Sequence, residues 1–296
     1  MLIFKTKTRF LLLLVSACLL FCACEQTPHT PTERELFLQS DALTEEQKNV
    51  LKNKIVILDA GHGFADIGCT FPDGELFERE ITLVLTQKIK TALESDGVTV
   101  YLTHDGETFL NDTGLQGLAT ECAYDMDAYL DGLIASYSGR KGQELQDTVQ
   151  AFWQGVNADE VFDTFERSFF ANLCDKQHPL SLYVSIHVNA SVNNPLASGF
   201  DLFTCSDTPH AANSRTAAEA MHDALGTDFA ETKARVKTYG WSDAYVVTKY
   251  PDMPSVLVES GFSTNETDAK NLQNEAWQNK FARSIADGIE LYLLGY

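Results

Sequence analysis

Short, wholly apolar runs rich in isoleucine, leucine and valine recur along this chain. They alternate with stretches whose apolar residues return every three or four positions. Residues 54–58 read Lys-Ile-Val-Ile-Leu, and a β-branched run of this kind predicts a strand buried on both faces. Over residues 80–96, Ile81, Val84, Leu85, Ile89, Ala92 and Leu93 share one helical face, and Gly97 supplies the stop. Further strands are expected at 98–102, 181–188, 200–205, 244–248 and 255–258, with helices over 211–225 and 275–294. Strands interleaved with helices predict an α/β fold: a single domain with a mostly parallel or mixed sheet, flanked by helices on both faces. Residues 108–160 break the rhythm, being polar, acidic and weakly periodic. They are expected to be an insertion laid over the core, with a local helix over 126–134.

The N-terminus constrains location. Lys5, Lys7 and Arg9 precede an apolar stretch from Phe10 to Phe21, and no acidic residue occurs before Glu25. That is the layout of a secretory signal, and the stretch is shorter than the ~20 apolar residues of a membrane span. Ala23 followed by Cys24 resembles a bacterial lipobox, which would make Cys24 the lipidated first residue of the mature chain. Phe21 departs from that pattern, since leucine is usual there, and cleavage without lipid is the alternative. The expected organisation is a signal peptide at 1–23, a lipid attachment and tether at 24–50, and a folded domain over 51–296. Residues 25–35, with two prolines among polar residues, would be the flexible part of the tether.

The formal net charge is -20, from 42 acidic and 22 basic residues. Phosphate neutralisation needs clustered lysine and arginine, so nucleic acid is excluded as a partner. A basic patch for anionic lipid is excluded on the same ground. Beyond the export segment the cysteines are Cys69, Cys122, Cys174 and Cys205, with no Cys-x-x-Cys pair. A cysteine-ligated metal is therefore not expected; disulfides and buried free thiols both remain open.

Three segments place metal-ligand residue types at the ends of expected elements, where α/β sheets keep their sites. In Leu58-Asp59-Ala60-Gly61-His62-Gly63 a strand runs into a histidine flanked by glycines. Glu78 stands just before the first helix, and the strand ending Ser185-Ile186-His187-Val188-Asn189 delivers a second histidine. Two histidines and one carboxylate match the ligand set of hydrolytic zinc sites that keep a fourth position open. A fourth segment, Val256-Leu257-Val258-Glu259, brings a carboxylate to the end of a buried strand. A charge placed there is costly without a partner, which favours a functional carboxylate.

These four blocks, in this order, resemble the signature blocks of the cell-wall zinc amidases, the N-acetylmuramoyl-L-alanine amidases often called amidase type 3. The likeness runs from about Lys54 to the C-terminus, interrupted by the insertion. It implies that His62, Glu78 and His187 hold one zinc ion and that Glu259 is the catalytic carboxylate. Glu75 and Glu80 rival Glu78; Glu78 is preferred because Glu-Arg-x-x-x-Leu fits the family's Glu-Lys-x-x-x-Leu. The resemblance further implies hydrolysis of the peptidoglycan amide joining N-acetylmuramic acid to L-alanine, by an exported lipoprotein facing the wall or periplasm. Asn189 and Arg167 are candidates for substrate contact or support, and a protein activator acting on the 108–160 insertion is a further expectation. Ala60, Phe64, Ala65 and His104 depart from the family's usual residues without removing a ligand. Two other readings share the residues: a zinc exopeptidase or acylase acting on another wall amide, and a non-catalytic wall-binding lipoprotein.

Overall fold

The computed structural model describes residues 31–40, 42–63, 66–106, 164, 167–168, 170–172, 174–176 and 178–296. The signal segment, Cys24, Cys122 and the 108–160 insertion lie outside these residues, as does the helix expected over 126–134. Two short helices come first, α1 (Glu33–Leu38) and α2 (Glu45–Leu51). Each opens on a threonine, Thr32 or Thr44, that caps the backbone three residues on, and a Glu35 or Gln47 side chain returns the bond.

The sheet is built from β1 (Ile55–Ala60), β2 (Thr99–Leu102), β3 (Leu182–Asn189), β4 (Phe200–Cys205), β5 (Ala234–Tyr239) and β6 (Ser255–Phe262). Its six strands run in the order β2-β1-β3-β6-β4-β5. All neighbours are parallel except β4 and β6, so the sheet is mixed, as the alternating pattern predicts. Val56, Leu58, Val184, Ile186, Val258 and Leu202 project from one face. They pack with α3 (Glu78–Ser95), α4 (Ala211–Asp228) and α7 (Glu275–Leu294) in the larger core. Ile57, Tyr183, Leu257 and Phe203 project from the other face, against Phe170, Ala171, Val247 and Met253. Strands buried on both sides carry no polar alternation, which is why their runs are continuously apolar.

Two local expectations fail. Residues 244–248 were expected as a strand; Val246–Lys249 instead forms a short helix, α5, whose Thr248 hydroxyl donates to the Tyr245 carbonyl at 2.9 Å. β5 is a strand that periodicity missed, because its residues are only half-buried and charged Arg235 and Lys237 alternate along it. A further helix, α6 (Glu266–Leu272), starts on Asn265, whose side chain accepts from Thr267 and Asp268.

A buried polar network ties β1, β2 and β3 together beneath the strand ends. Asp59, fully buried, accepts from Thr103 Oγ1 at 2.6 Å and Ser185 Oγ at 2.5 Å, and pairs with Arg167 Nε at 2.8 Å. Burial opposes the Asp59 charge, yet Arg167 and the two hydroxyls hold its carboxyl below the ordinary carboxylate range. Its contribution to stability is present above the unfolded value of 3.8 and is lost as pH falls through the lower folded value. Replacing Arg167 with methionine leaves a buried charge uncompensated and is expected to destabilise by about 3–5 kcal/mol. Urea denaturation of Arg167→Met, and of the Arg167→Met/Asp59→Asn double variant, checks this; the double variant recovers much of the loss. Equal midpoints for wild type and Arg167→Met would remove the pair from the stability argument.

Candidate metal centre

Each side chain of the site is delivered by a strand or helix end at the carboxyl edge of the sheet. After β1 the chain turns sharply through Gly61, His62 and Gly63. His62 has φ +65°, the only positive value among the described non-glycine residues. Backbone strain of this sort is retained where the surrounding structure fixes it. A Cβ on Gly61 would lie 2.5 Å from the His187 ring, so the absence of a side chain there lets the imidazole lie against the backbone. Gly68, with φ +64°, does the same for Glu78, whose Oε2 would lie 2.6 Å from an added Cβ.

Glu78 opens α3 and is 3% exposed. Its Oε2 accepts from the Cys69 N–H at 2.9 Å, and its Oε1 accepts from the Val188 N–H at 2.8 Å. That second donor is available because β1 ends short of it: the last β1–β3 pair is Ala60 with Ile186, and the Gly61 N–H takes the Ile186 carbonyl. On the other side of β3 the pairing with β6 is irregular. His187 pairs with Glu259 and Asn189 with Phe262, so Ser260 and Gly261 stand opposite Val188 alone. Gly261, with φ +144°, absorbs the extra residue. The Ser260 hydroxyl donates to the His187 carbonyl at 2.8 Å, fixing the strand just behind the imidazole.

His62, Glu78 and His187 converge, with one ligand atom from each inside a 4.8 Å cluster. His62 Nε2 lies 3.2 Å from Glu78 Oε1, and His187 Nδ1 lies 3.3 Å from the same oxygen. The other nitrogen of His62 is held by Asp66, at 2.6 Å from Oδ2. This carboxylate fixes the imidazole's orientation and turns Nε2 toward the cluster, a common second tier around metal-binding histidines. Burial disfavours a charged His62, but Asp66 and Glu78 outweigh it and raise its pKa to about 10. Burial likewise opposes the Glu78 charge, and the two imidazoles hold its carboxyl well below the usual range.

Glu259 stands beside this cluster on β6, in register with His187 on one side and Asp201 on the other. It is 7% exposed, and its Oε2 has no hydrogen-bond partner among the described residues. Burial first, then the Glu78 and Asp201 charges, raise its pKa to about 8. A buried carboxylate left unsatisfied costs free energy and is retained where the oxygen has work to do. Two imidazoles and a carboxylate are the donor set of an open zinc site. The anionic surroundings, the orphaned Glu259 oxygen and the side-chain-free Gly61 and Gly68 all fit a divalent cation there.

The other expected residues fall into place around the centre. Arg167 is 3% exposed and engages Asp59, so it supports β1 from within. Asn189 bridges: its Oδ1 accepts from the Ala190 N–H at 2.8 Å, and its Nδ2 reaches Asp201 at 3.5 Å. Glu75 is exposed, and Glu80 sits in the first turn of α3, where its carboxylate accepts from the Phe77 N–H at 2.8 Å. Neither joins the cluster. His104 is buried, and its Nε2 meets the Ala60 carbonyl at 2.8 Å, bracing the turn that carries His62. Cys69 carries a free thiol, and Cys174 and Cys205 are buried. Sequence reasoning missed Asp66, Asp59 and Asp201; a charge inside a continuous apolar run was the available signal for the last two.

A family model described as N-acetylmuramoyl-L-alanine amidase matches residues 56–291. The uncharacterized protein YqiI of Bacillus subtilis is 29% identical over 242 residues, spanning 82% of this chain and 86% of that protein. The germination-specific N-acetylmuramoyl-L-alanine amidase of the same bacterium is 28% identical, spanning 82% and 81%. Among solved structures, the CwlD amidase from Clostridioides difficile, in complex with the GerS lipoprotein, matches with a TM-score of 0.57. Its identity is 27%, with 81% of this chain and 98% of that one covered.

Proposed function

Because the chain belongs to the N-acetylmuramoyl-L-alanine amidase family, we propose that it is a zinc-dependent enzyme hydrolysing the peptidoglycan amide between N-acetylmuramic acid and L-alanine. The observation that carries this reading is the meeting of His62, Glu78 and His187 beside Glu259, whose Oε2 has no hydrogen-bond partner among the described residues. His62, Glu78 and His187 would hold one zinc ion. When bound, zinc supplies a Lewis acid that polarises the scissile carbonyl and eases deprotonation of water. Glu259 takes the proton of the attacking water and delivers it to the departing amine of L-alanine. Its unpartnered oxygen is available for that transfer, and Asp66 keeps the His62 ring from turning away during it.

Export by the 1–23 signal, lipid attachment at Cys24 and a tether over 24–50 complete the proposal, with 51–296 as the catalytic domain. The basic residues and short apolar stretch at the N-terminus support export. Among the described residues no helix is long and apolar enough to cross a membrane. The CwlD amidase is in complex with a lipoprotein. By analogy, a protein activator acting on the 108–160 insertion is proposed here.

Incubating the purified protein with purified cell wall tests the function. The expected products are stem peptides with a free N-terminal alanine and glycan stripped of them. Chelation stops release and added zinc restores it. Clipped amino acids with an intact muramoyl amide would instead support the exopeptidase reading, and wall binding without products would support the non-catalytic one.

A further inference from the structure

The row of residues that contains the site does not stop at Glu259. His187 on β3 pairs with Glu259 on β6, Glu259 with Asp201 on β4, and Asp201 with Arg235 on β5. Partners in register project from the same face of a sheet. Lys237 lies two residues beyond Arg235 on that face of β5, the strand that ends the sheet. Asp201, 1% exposed, accepts from Arg235 Nε and from Lys237 Nζ, the latter at 2.9 Å. Arg235 and Lys237 are thus set among three carboxylates: both meet Asp201, the Lys237 charge also acts on Glu259, and the Arg235 charge also acts on Asp268. Arg235 spends Nη2 on the Ser198 carbonyl at 3.0 Å, and its Nη1 has no partner among the described residues. Both basic side chains are 36% exposed. The Lys237 ammonium lies 4.9 Å from the Phe203 ring centroid, and the half-exposed Tyr245 ring packs edge-on against that same ring at 5.2 Å.

Arg235 keeps part of its guanidinium open to solvent on the row that carries Glu259. Strands lie about 4.8 Å apart, which puts the Arg235 backbone about 10 Å from that of Glu259. An extended peptide advances about 3.3–3.6 Å per residue, so a substrate leaving the cut bond along this row comes abreast of Arg235 after two to three residues. Arginine is suited to that role because its planar fork presents several donors to a carboxylate while others stay engaged.

We propose that Arg235, seconded by Lys237, is the subsite for a carboxylate of the stem peptide, carried by the second residue beyond the amide that is cut. This rests on the amidase reading above. The test uses two soluble muramoyl tripeptides with a γ-linked glutamyl second residue, identical except that its α-carboxyl is free in one and amidated in the other. Wild-type enzyme with zinc is expected to show a KM about tenfold lower for the free carboxylate, at similar kcat, the size of one charge-assisted hydrogen bond. Arg235→Gln is expected to raise KM for the carboxylate substrate about tenfold, leaving the amidated substrate within twofold, and Arg235→Lys recovers part of the loss. Equal wild-type KM values for the two substrates overturn the subsite, and that comparison needs no variant to fold. Equal losses on both substrates in Arg235→Gln would reduce Arg235 to a structural counter-charge for Asp201. Failure of the wild type to cut either substrate strikes the amidase reading itself, a different result from cutting both alike.

Discussion

Replacing Glu259 with glutamine lowers turnover of the muramoyl–alanine amide by about 10²–10⁴-fold while metal content stays at the wild-type level. The magnitude is that of a positioned general acid and base. Glutamine keeps the shape and removes the ability to accept and return a proton, and Glu259 is not one of the three converging ligand residues. Stability moves the other way. The Glu259 pKa rises from 4.5 to about 8 in the folded protein because burial and the Glu78 and Asp201 charges oppose ionisation. An acid bound more tightly by the folded state penalises folding increasingly as pH climbs from 4.5 toward about 8, and the penalty is constant above that. Metal-free Glu259→Gln is thus expected to melt above metal-free wild type at pH 9, with the difference vanishing near pH 4.5. Activity assays and melting curves on the same samples check both halves. Unchanged turnover in Glu259→Gln removes this residue from the mechanism.

The second large effect is expected at Glu78. Its carboxylate is surrounded by four groups: two imidazoles and the N–H groups of Cys69 and Val188. Glu78→Ala deletes a proposed ligand and leaves both backbone donors without their acceptor. Zinc affinity should fall by more than the about 10–100-fold typical of losing an outer partner, and activity should fall with it. Asp66→Asn provides the scale. It touches His62 only from the far side, so its loss should stay within about 10–100-fold. Titration with zinc under a competing chelator measures both. Equal affinities for wild type and Glu78→Ala would mean that the ion binds elsewhere.

Much of this arrangement was legible in the order of residues, and the reasons are local. Strands buried on both faces write themselves as continuous apolar runs, and polar residues interrupting the ends of such runs stand out. His62, His187 and Glu259 are all of this kind, whereas Glu78 had Glu75 and Glu80 as rivals nearby and was set apart only by the resemblance of Glu-Arg-x-x-x-Leu to the family's Glu-Lys-x-x-x-Leu. The misses have equally local causes. Val246, Val247 and Thr248 are β-branched, and a four-residue apolar run is the same length as a short buried helix, so α5 read as a strand. β5 escaped because its face toward the centre carries Arg235 and Lys237, whose partner Asp201 is more than thirty positions away. Asp66 gave no signal of its own. Its role exists only because the turn at His62, with φ +65°, brings the imidazole back over it.

The most direct measurement is anomalous scattering at the zinc edge from crystals of the protein grown with zinc. A single peak is expected, bonded to the His62 and His187 imidazoles and the Glu78 carboxylate at about 2.0–2.2 Å. Glu259 should face the ion without ligating it. A peak among other residues, or crystals without a peak from protein that still strips stem peptides from the wall, would contradict the assignment.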